Sequence, residues 1–315
     1  MTGSVYSADQ WAVILGGSSG FGLATAKRLA EQGMSVCIVH RDRRAMMARI
    51  EPEFEKIRAG GARLLTRNVD ALAAEKRDEV IDALTAEMGE GRVRVLLHSV
   101  AFGNLKLLVA EAKAKRTATA ELASRLGVDE EKLQNAIDEV FAAGRPQAAG
   151  LASPPEYSGK HFLDDEDFTR TIHAMGTSLL GWVQQLFARG LFASDARVFG
   201  LTSEGNEVAW KGYAAVAAAK VSLESLARSI AVEFAPYGIR CNVIQAGITH
   251  TPAQDAIPGS AHMRAQALSR NPMGRLTTPE DVAGVIALLA SDDAGWINGE
   301  VIRVDGGEHI SGASS

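Results

Sequence analysis

Residues 11–33 read WAVILGGSSGFGLATAKRLAEQG, and this stretch decides the fold. An unbroken apolar run from Trp11 to Leu15 is typical of a strand that is covered on both faces. Closely spaced glycines follow, and a helical pattern then runs to Gly33. Glycine lets the backbone turn sharply and lets a pyrophosphate approach the amides at the start of the next helix. The order strand, glycine turn, helix therefore predicts dinucleotide binding rather than a turn without a ligand. The expected binding residues of this loop are Gly16, Ser18, Ser19, Gly20, Phe21 and Gly22.

The rest of the chain repeats the alternation of apolar strand and helical pattern. Strand candidates are Ala12–Leu15, Ser35–Val39, Ala62–Thr66, Val93–His98, Ala196–Thr202, Arg240–Gln245 and Glu300–Val304. Helical patterns lie between most of them, for example at 23–32, 75–88 and 214–235. This alternation predicts an α/β fold: a doubly wound, Rossmann-type parallel sheet in a single domain over 1–315.

Composition argues against several classes of protein. The 315 residues are 46% hydrophobic and 23% charged, which is ordinary for a globular protein. A net charge of −5 gives no basic footprint for nucleic acid. No apolar run approaches the roughly 20 residues of a membrane span, and no signal pattern opens the chain. We expect a cytoplasmic protein with no nucleic-acid or membrane partner. Cys37 and Cys241 lie in apolar runs and are expected in the core, and no histidine spacing suggests a metal site.

One stretch is longer than such a fold needs, namely the residues between Gly103 and Asp167. Two glycines mark helix ends within it, Gly127 and Gly144, and Asp129 is a candidate N-cap. Two amphipathic helices and a proline-containing loop are therefore predicted in a helical insertion at roughly 104–165, after the fourth strand. Two interpretations stay open: a surface hairpin or oligomer contact, and a lid over the site at the strand ends. The apolar residues at helical spacing are Leu122, Leu126, Leu133, Ile137, Val140 and Phe141.

The end of the second strand bears on cofactor choice. A carboxylate at this position binds the ribose 2′-hydroxyl of NAD, but the chain has His40 there, with Arg41 next to it and two more arginines at 43 and 44. A guanidinium matches the 2′-phosphate of NADP in charge and geometry. Asp42 is a competing carboxylate. We therefore expect His40 and Arg41 to bind the cofactor, and NADPH to be preferred over NADH.

A tyrosine and a lysine carry the strongest chemical signal in the chain. Tyr213 lies seven residues before Lys220, so in a helix both fall on one face, roughly 10 Å apart along the axis. The commoner dehydrogenase arrangement in this kind of fold puts the tyrosine four residues before the lysine. That position is Val216, which has no proton to give. The spacing therefore favours a chemistry other than ordinary carbonyl reduction.

With the glycine loop, the Tyr213 and Lys220 pair and the sequence RVDGG at 303–307, the chain resembles the short-chain dehydrogenase/reductase superfamily. Within it the chain is most similar to the enoyl-acyl-carrier-protein reductases, whose signature is Tyr-x6-Lys. The sequence HSVAFG at 98–103 is similar to their His-Ser-Ile-Gly-Phe, and QAGITHT at 245–251 resembles their Ser-Ala-Gly-Pro-Ile-Arg-Thr, with Ile248 in place of the proline. Met175 stands where carbonyl reducers carry the asparagine of their proton relay. The resemblance extends over nearly all of the chain except part of the 104–165 insertion.

The resemblance implies roles for individual residues. Tyr213, Lys220 and Ser203 are the expected catalytic residues. Ser203 replaces a second tyrosine of many enoyl reductases, and it either donates to a thioester oxygen or caps the strand end. Residues 257–272 fall where the family has its mobile substrate loop. Expected substrate-binding residues are Phe102, Tyr213, Met263 and Leu268. Further cofactor-binding residues are Asn68, Val69, Ser99, Val100, Ala101, Lys220, Gly247, Ile248, Thr249 and Thr251, and structural or cofactor-edge roles are expected for His98, His173 and His250.

The function implied is NADPH-dependent reduction of the 2,3 double bond of an enoyl thioester, carried on acyl carrier protein or coenzyme A, in fatty acid or polyketide biosynthesis. Tyr213 would stabilise the enolate and Lys220 would hold the nicotinamide ribose. Two alternatives stay open. One is a carbonyl reductase for 3-oxoacyl thioesters or other ketones, against which Val216 and Met175 count. The other is a non-catalytic NADP-binding sensor or scaffold. By resemblance we also expect a homo-oligomer, a tetramer or a dimer.

Overall fold

The structure is a computed structural model that describes residues 5–111, 118–157 and 161–312. The strands in this part of the chain are β1 (Gln10–Leu15), β2 (Ser35–His40), β3 (Leu64–Asn68), β4 (Arg92–His98), β5 (Phe192–Ser203), β6 (Ile239–Ala246) and β7 (Val301–Val304). The helices are α1 (Gly20–Glu31), α2 (Arg44–Ala59), α3 (Ala74–Met88), α4 (Ala118–Leu126), α5 (Glu130–Ala142), α6 (Asp165–Ile172), α7 (Ser178–Ala188), α8 (Ala214–Glu233), α9 (Pro252–Asp255), α10 (Ser260–Arg270) and α11 (Pro279–Leu289).

The strands form one sheet in the order β3-β2-β1-β4-β5-β6-β7, and every pair of neighbours is parallel. Connections leave β1 toward one side of the sheet and β4 toward the other. The order of the strands therefore reverses between β1 and β4, and ligands bind outside the carboxyl ends of strands at such a point. The predicted doubly wound Rossmann-type fold is confirmed.

Helices cover both faces of the sheet, which explains why the strands are apolar without alternation. Helices α3, α7 and α8 pack on one face, and α1, α2 and α11 pack on the other. All six residues of β2 are buried. Trp182 on α7 is fully buried, and its indole N–H donates to the carbonyl oxygen of Ala71 at 3.0 Å. Such a hydrogen bond removes the cost of burying the polar atom of a large aromatic ring.

The position of β3 differs in detail from the prediction, whereas the helices of the insertion agree with it. Strand β3 lies two residues later than predicted, because Arg67 and Asn68 continue the ladder opposite Val39 and His40 despite their polarity. The insertion contains the two predicted helices, α4 and α5, and Asp129 caps α5 by accepting from the backbone N–H of Lys132 at 2.9 Å. None of the described helices is both long and apolar enough to cross a membrane.

Candidate active site

A cavity of about 400 Å³ opens at the carboxyl ends of β1, β4, β5 and β6. It brings together the glycine turn, the residues after β4, the end of β5, the start of α8 and the loop after β6. The predicted site residues among its lining are Gly16, Ser19, Gly20, Phe21, Ser99, Val100, Ala101, Phe102, Ser203, Tyr213, Lys220, Gly247, Ile248, Thr249, Thr251 and Met263. Sequence segments more than two hundred residues apart thus meet in one place.

The glycine turn is built so tightly that side chains are excluded from two of its positions. Gly16 has a φ of +84°, and a Cβ there would lie 2.4 Å from the carbonyl oxygen of Ser99. A Cβ on Gly22 would lie 2.2 Å from the carbonyl oxygen of Gly16. Ser19 is the N-cap of α1 but makes no side-chain capping bond to the described residues. The first amides of α1 therefore stay available to an anion, as the pyrophosphate of a dinucleotide requires.

At the end of β2 the side chains of His40 and Arg41 have different surroundings. The ring of His40 is buried: its Nδ1 lies 2.9 Å from a carboxylate oxygen of Asp42, and it packs edge-on against Phe54. The guanidinium of Arg41 is half exposed, lies 4.9 Å above the ring of Phe102 and donates to Asp70 at 2.8 Å. Arg41, and not the imidazole of His40, therefore presents its polar group to solvent at this edge.

Like Gly22, His40 and Arg41, three further predicted cofactor residues lie outside the described cavity lining. The side chain of Asn68 is engaged with the backbone of Asp42: it accepts from the N–H at 2.9 Å and donates to the carbonyl oxygen at 3.0 Å. Val69 packs at the rim of the core. Ser18 lies within the glycine turn, next to Ser19.

Tyr213 lies at the start of α8 with its side chain buried in the cavity wall. Its ring packs against the backbone of Gly205, where a Cβ would lie 2.5 Å from the ring carbon Cε1. The hydroxyl oxygen lies 3.5 Å from Oγ of Ser203. Burial raises the pKa of Tyr213, so the hydroxyl is protonated at neutral pH and can donate a hydrogen bond. Ser203 makes no capping bond to the described residues, so its hydroxyl is available beside that of Tyr213.

Lys220 is a charged residue in a buried position, where its ammonium needs a hydrogen-bond partner. The side chain is buried, and its ammonium donates to the carbonyl oxygen of Leu201 at 2.7 Å. Burial lowers the pKa of Lys220 to about 8, partly opposed by the nearby carboxylate of Glu224. Lys220 is therefore mostly cationic at neutral pH and fixed in direction by the end of β5.

Next to Tyr213 the wall of the cavity is apolar. The side chains of Val216 and Met175 meet at Gly103, where a Cβ would lie 3.0 Å from each of them. Met175 belongs to a π-helical turn, His173–Thr177, inserted between α6 and α7. Such turns occur frequently at functional sites. The two positions that would carry proton-relay groups in a carbonyl reducer are thus filled by hydrocarbon and a thioether.

The three histidines singled out from the sequence have different surroundings. His98 is buried and lies 2.8 Å from Oγ of Ser178, and burial lowers its pKa to about 3. It is therefore neutral at physiological pH. His173 lies 3.4 Å from the hydroxyl of Thr177, and His250 forms an exposed pair with Asp255 at 2.9 Å. The described residues contain no cluster of three or more side chains that could hold a metal ion.

The loop after β6 closes the cavity opposite the glycine turn. A Cβ on Gly20 would lie 3.4 Å from the methyl group of Thr251, so the two loops nearly touch. A Cβ on Gly247 would lie 2.5 Å from Oγ1 of Thr277. The backbone N–H of Ile248 donates to a carboxylate oxygen of Glu308 at 3.3 Å. The loop therefore has a fixed position between the glycine turn and the C-terminal segment.

An apolar wall, formed by Leu105, Trp210, Ile257 and Met263, faces the cavity on the side of Tyr213. Leu105, Trp210 and Ile257 were not predicted from the sequence to line the site. The available signal was the aromatic Trp210, which lies three residues before Tyr213. Leu268, predicted to bind substrate, is half-buried on α10 and lies outside the described lining. Glu204, which directly follows Ser203, lines the cavity and was also missed.

The insertion packs behind this wall. The ring of Phe141 lies 4.7 Å from that of His262 on α10. A Cβ on Gly259 would lie 2.8 Å from Pro155, and one on Gly212 would lie 3.4 Å from the ring of Tyr157. Helices α4 and α5 supply no residue to the described lining. The insertion therefore braces the segments on both sides of the apolar wall, rather than covering the cavity with its helices.

Comparison with known proteins agrees with this geometry. A family model described as "Enoyl-(Acyl carrier protein) reductase" matches residues 129–309, and one described as "short chain dehydrogenase" matches residues 10–141. The cis-4-hydroxycyclohexanecarboxylate dehydrogenase of Sinomonas cyclohexanicum is 30% identical over 95% of this chain and 96% of its own. A probable 2,4-dienoyl-CoA reductase of Bacillus subtilis is 28% identical over the same shares.

Solved structures share the fold. The enoyl-(acyl-carrier-protein) reductase of Anaplasma phagocytophilum, solved in complex with NAD, superposes with a TM-score of 0.70 at 22% identity and covers 100% of this chain and 96% of its own. The sequence matches show the family as well as the fold, since one family model covers more than half of the chain. The chain therefore belongs to the short-chain dehydrogenase/reductase superfamily of oxidoreductases, in its enoyl-acyl-carrier-protein reductase-like part.

Proposed function

We propose that this protein reduces the 2,3 double bond of an α,β-unsaturated acyl thioester with NADPH. The observation that carries the proposal is the surroundings of Tyr213. A protonated hydroxyl faces the cavity, while the adjacent relay positions hold Val216 and Met175. Such a site can stabilise an oxyanion but offers few groups that would pass a proton onward to it. That combination suits an enolate better than an alkoxide.

The cavity fits a nicotinamide dinucleotide. The uncapped amides of α1 suit its pyrophosphate, and the absence of side chains at Gly16 and Gly22 lets the turn pack closely against Ser99 and against its own backbone. When bound there, the reduced nicotinamide supplies the hydride that adds to the β-carbon of the substrate. Arg41 supports NADPH over NADH, because its half-exposed guanidinium can pair with a 2′-phosphate after leaving Asp70.

Tyr213 acts on the charge that develops at the thioester oxygen. The hydroxyl of Tyr213 donates a hydrogen bond to that oxygen, and Ser203, 3.5 Å away, is placed to donate a second. Fixed donors of this kind contribute roughly 3–4 kcal/mol each in other enzymes. The α-carbon then takes a proton from Tyr213 or from water.

Lys220 contributes charge and position. Its ammonium is held by the carbonyl oxygen of Leu201 at 2.7 Å, and by resemblance it holds the nicotinamide ribose. Because the group is buried, its positive potential is screened less than that of a surface lysine. It therefore stabilises negative charge near Tyr213 at neutral pH.

The apolar wall indicates where the acyl group lies. Its four side chains offer contact to hydrocarbon beside Tyr213, which suits an acyl chain carried on coenzyme A or acyl carrier protein. We propose a homo-oligomer, a tetramer or a dimer, as the functional unit.

A second candidate is oxidation of an alcohol or reduction of a ketone. Two observations favour it: the hydroxyls of Ser203 and Tyr213 lie together, a pair that carbonyl reducers use, and the Sinomonas relative is named as a dehydrogenase. Each turnover adds one proton to an alkoxide or removes one from an alcohol, and Val216 and Met175 offer no group that would relay it to or from solvent.

The test compares initial rates with a trans-2-enoyl thioester and with the 3-oxoacyl thioester of the same chain length. We expect turnover of the enoyl substrate, with Tyr213→Phe lowering kcat/KM by about 10²–10³ while NADPH still binds. Tyr157→Phe is the matched control, since it removes a phenolic hydroxyl outside the described lining. Turnover of the 3-oxo substrate alone would establish the second candidate. NADPH binding without turnover of either thioester would favour a sensor or scaffold.

A further inference from the structure

A cluster of charged side chains begins in the wall of the cavity, at Glu204, and extends behind it. Glu204 follows the candidate catalytic Ser203, and its side chain is 10% exposed. Glu308, in the C-terminal segment after β7, has a side chain that is 2% exposed. Arg270, the last residue of α10, lies between them with 18% of its side chain exposed. These residues come from three distant parts of the chain.

One guanidinium joins the two carboxylates. Arg270 donates to both oxygens of Glu204, at 2.9 Å and 2.8 Å, which is the bidentate geometry of a strong, directional pair. Its Nη2 also lies 3.5 Å from Oε1 of Glu308. The other oxygen of Glu308 accepts from the backbone N–H of Ile248 in the loop after β6. The end of α10 is thus bound to the end of β5 and, through Glu308, to the loop after β6.

The buried part of the cluster contains more acidic than basic side chains. One arginine serves two glutamates, with Asp305 also nearby. His309 lies 3.7 Å from Glu204 and 3.1 Å from Glu207, and Arg303 donates to Glu207 at 3.0 Å. Buried ion pairs are weak contributors to stability compared with hydrophobic packing of the same volume. A role in fixing one arrangement of the surrounding segments explains the cluster better.

That arrangement matters because α10 carries both a residue of the cavity wall and the arginine of the ion pair. Met263, near its start, belongs to the apolar wall of the cavity, and Arg270 is its last residue. A helix of this length transmits a displacement of one end to the other because its backbone hydrogen bonds keep it rigid. Fixing Arg270 against Glu204 therefore fixes the distance between Met263 and the hydroxyls of Ser203 and Tyr213.

We propose that Arg270, paired with Glu204, is a positioning residue that holds α10 in place and thereby sets the affinity for the acyl group of the substrate. This inference rests on the proposed function, since it assumes that the apolar wall receives an acyl chain. Neither Arg270 nor Glu204 takes part in the chemistry, because each carboxylate oxygen of Glu204 is already occupied by the guanidinium. Loss of the pair changes binding of the acyl group more than the reaction at Tyr213.

The test uses Arg270→Lys, Arg270→Met and Glu204→Gln in the full-length protein. Lysine keeps the charge but loses the two-pronged geometry, so it restores part of what methionine removes. Arg275→Gln is the matched control, because Arg275 forms a bidentate pair with Asp281 on the surface, at 2.6 Å and 2.9 Å. Two quantities are measured for each variant: KM and kcat for the enoyl thioester, and the Kd of the saturated acyl-coenzyme A with oxidised cofactor by calorimetry.

We expect Arg270→Met and Glu204→Gln to raise KM and the calorimetric Kd by about tenfold, with kcat changed less than about threefold. Arg270→Lys should fall between wild type and Arg270→Met, and Arg275→Gln should match wild type. The inference is overturned if KM and Kd stay unchanged, if kcat falls in step with them, or if Arg275→Gln behaves in the same way. The calorimetric measurement needs no turnover. If the wild type is inactive but Arg270→Met and Glu204→Gln still raise the Kd, the proposed reaction is refuted and the positioning role is not. A wild type that does not bind acyl-coenzyme A refutes the positioning role.

Discussion

Replacing Glu308 by Gln should make the stability of the protein less dependent on pH. Burial and the nearby carboxylate of Glu204 raise the pKa of Glu308 to about 7 from an ordinary value of 4.5, although Arg270 acts in the opposite direction. Protonated Glu308 therefore stabilises the folded state fully below pH 4.5, and this contribution is lost as the pH rises through 7. Glutamine has the shape of the neutral acid and no such dependence.

The magnitude follows from the difference between the two pKa values. Each unit corresponds to about 1.4 kcal/mol, so the stability of wild type relative to Glu308→Gln should fall by roughly 2.5 kcal/mol between pH 5 and pH 8. Urea unfolding at one protein concentration, without cofactor, gives both free energies of unfolding at each pH. Taking the difference cancels the contribution of His98, whose lowered pKa acts in the opposite direction in both proteins. A difference that is constant, or that grows as pH rises, would refute the reasoning.

Three further predictions concern cofactor binding, measured as Kd by fluorescence titration. Burial lowers the pKa of Lys220 to about 8, so the affinity for NADPH should fall as the pH rises from 7 to above 9. Lys220→Arg should remove this pH dependence. The same pH dependence in both proteins would count against a role for the ammonium. Gly22→Ala places a Cβ 2.2 Å from the carbonyl oxygen of Gly16 and should weaken binding at least about tenfold, whereas Gly284→Ala, where nothing lies within 4 Å, should bind normally. Arg41→Ala should raise the Kd for NADPH by about tenfold and leave that for NADH unchanged; an equal effect on both would assign cofactor choice elsewhere.

The sheet and the glycine turn were predictable because burial and backbone geometry restrict which residues can occupy these positions. Strands covered on both faces are continuous apolar runs, as in β2, and the glycine positions record backbone geometry that other residues cannot adopt. Asp129 was likewise recognisable as an N-cap from its place before a helical pattern. The end of β3 was less predictable, because Arg67 and Asn68 are held in the ladder by β2 and not by their own preference.

The site was predictable where a single helix fixes the spacing, as for Tyr213 and Lys220, and less so where tertiary packing decides. The sequence places His40 at the strand end, but Phe54 and Asp42 determine that its ring points inward. The pair of Arg270 and Glu204 joins residues far apart in the chain, so no local pattern records it. The apolar wall has the same origin, since its members come from separate loops.

The central claim is that the hydride adds to the β-carbon of an enoyl thioester and not to the carbonyl carbon of a ketone. The most direct measurement offers the protein a trans-2-enoyl thioester and the 3-oxoacyl thioester of equal length together, with NADPH deuterated at both C4 positions, and locates the deuterium in the products by mass spectrometry. The arrangement of Tyr213 with Val216 and Met175 predicts deuterium at the β-carbon of the saturated thioester. Deuterium at the carbinol carbon of a 3-hydroxyacyl thioester would contradict it.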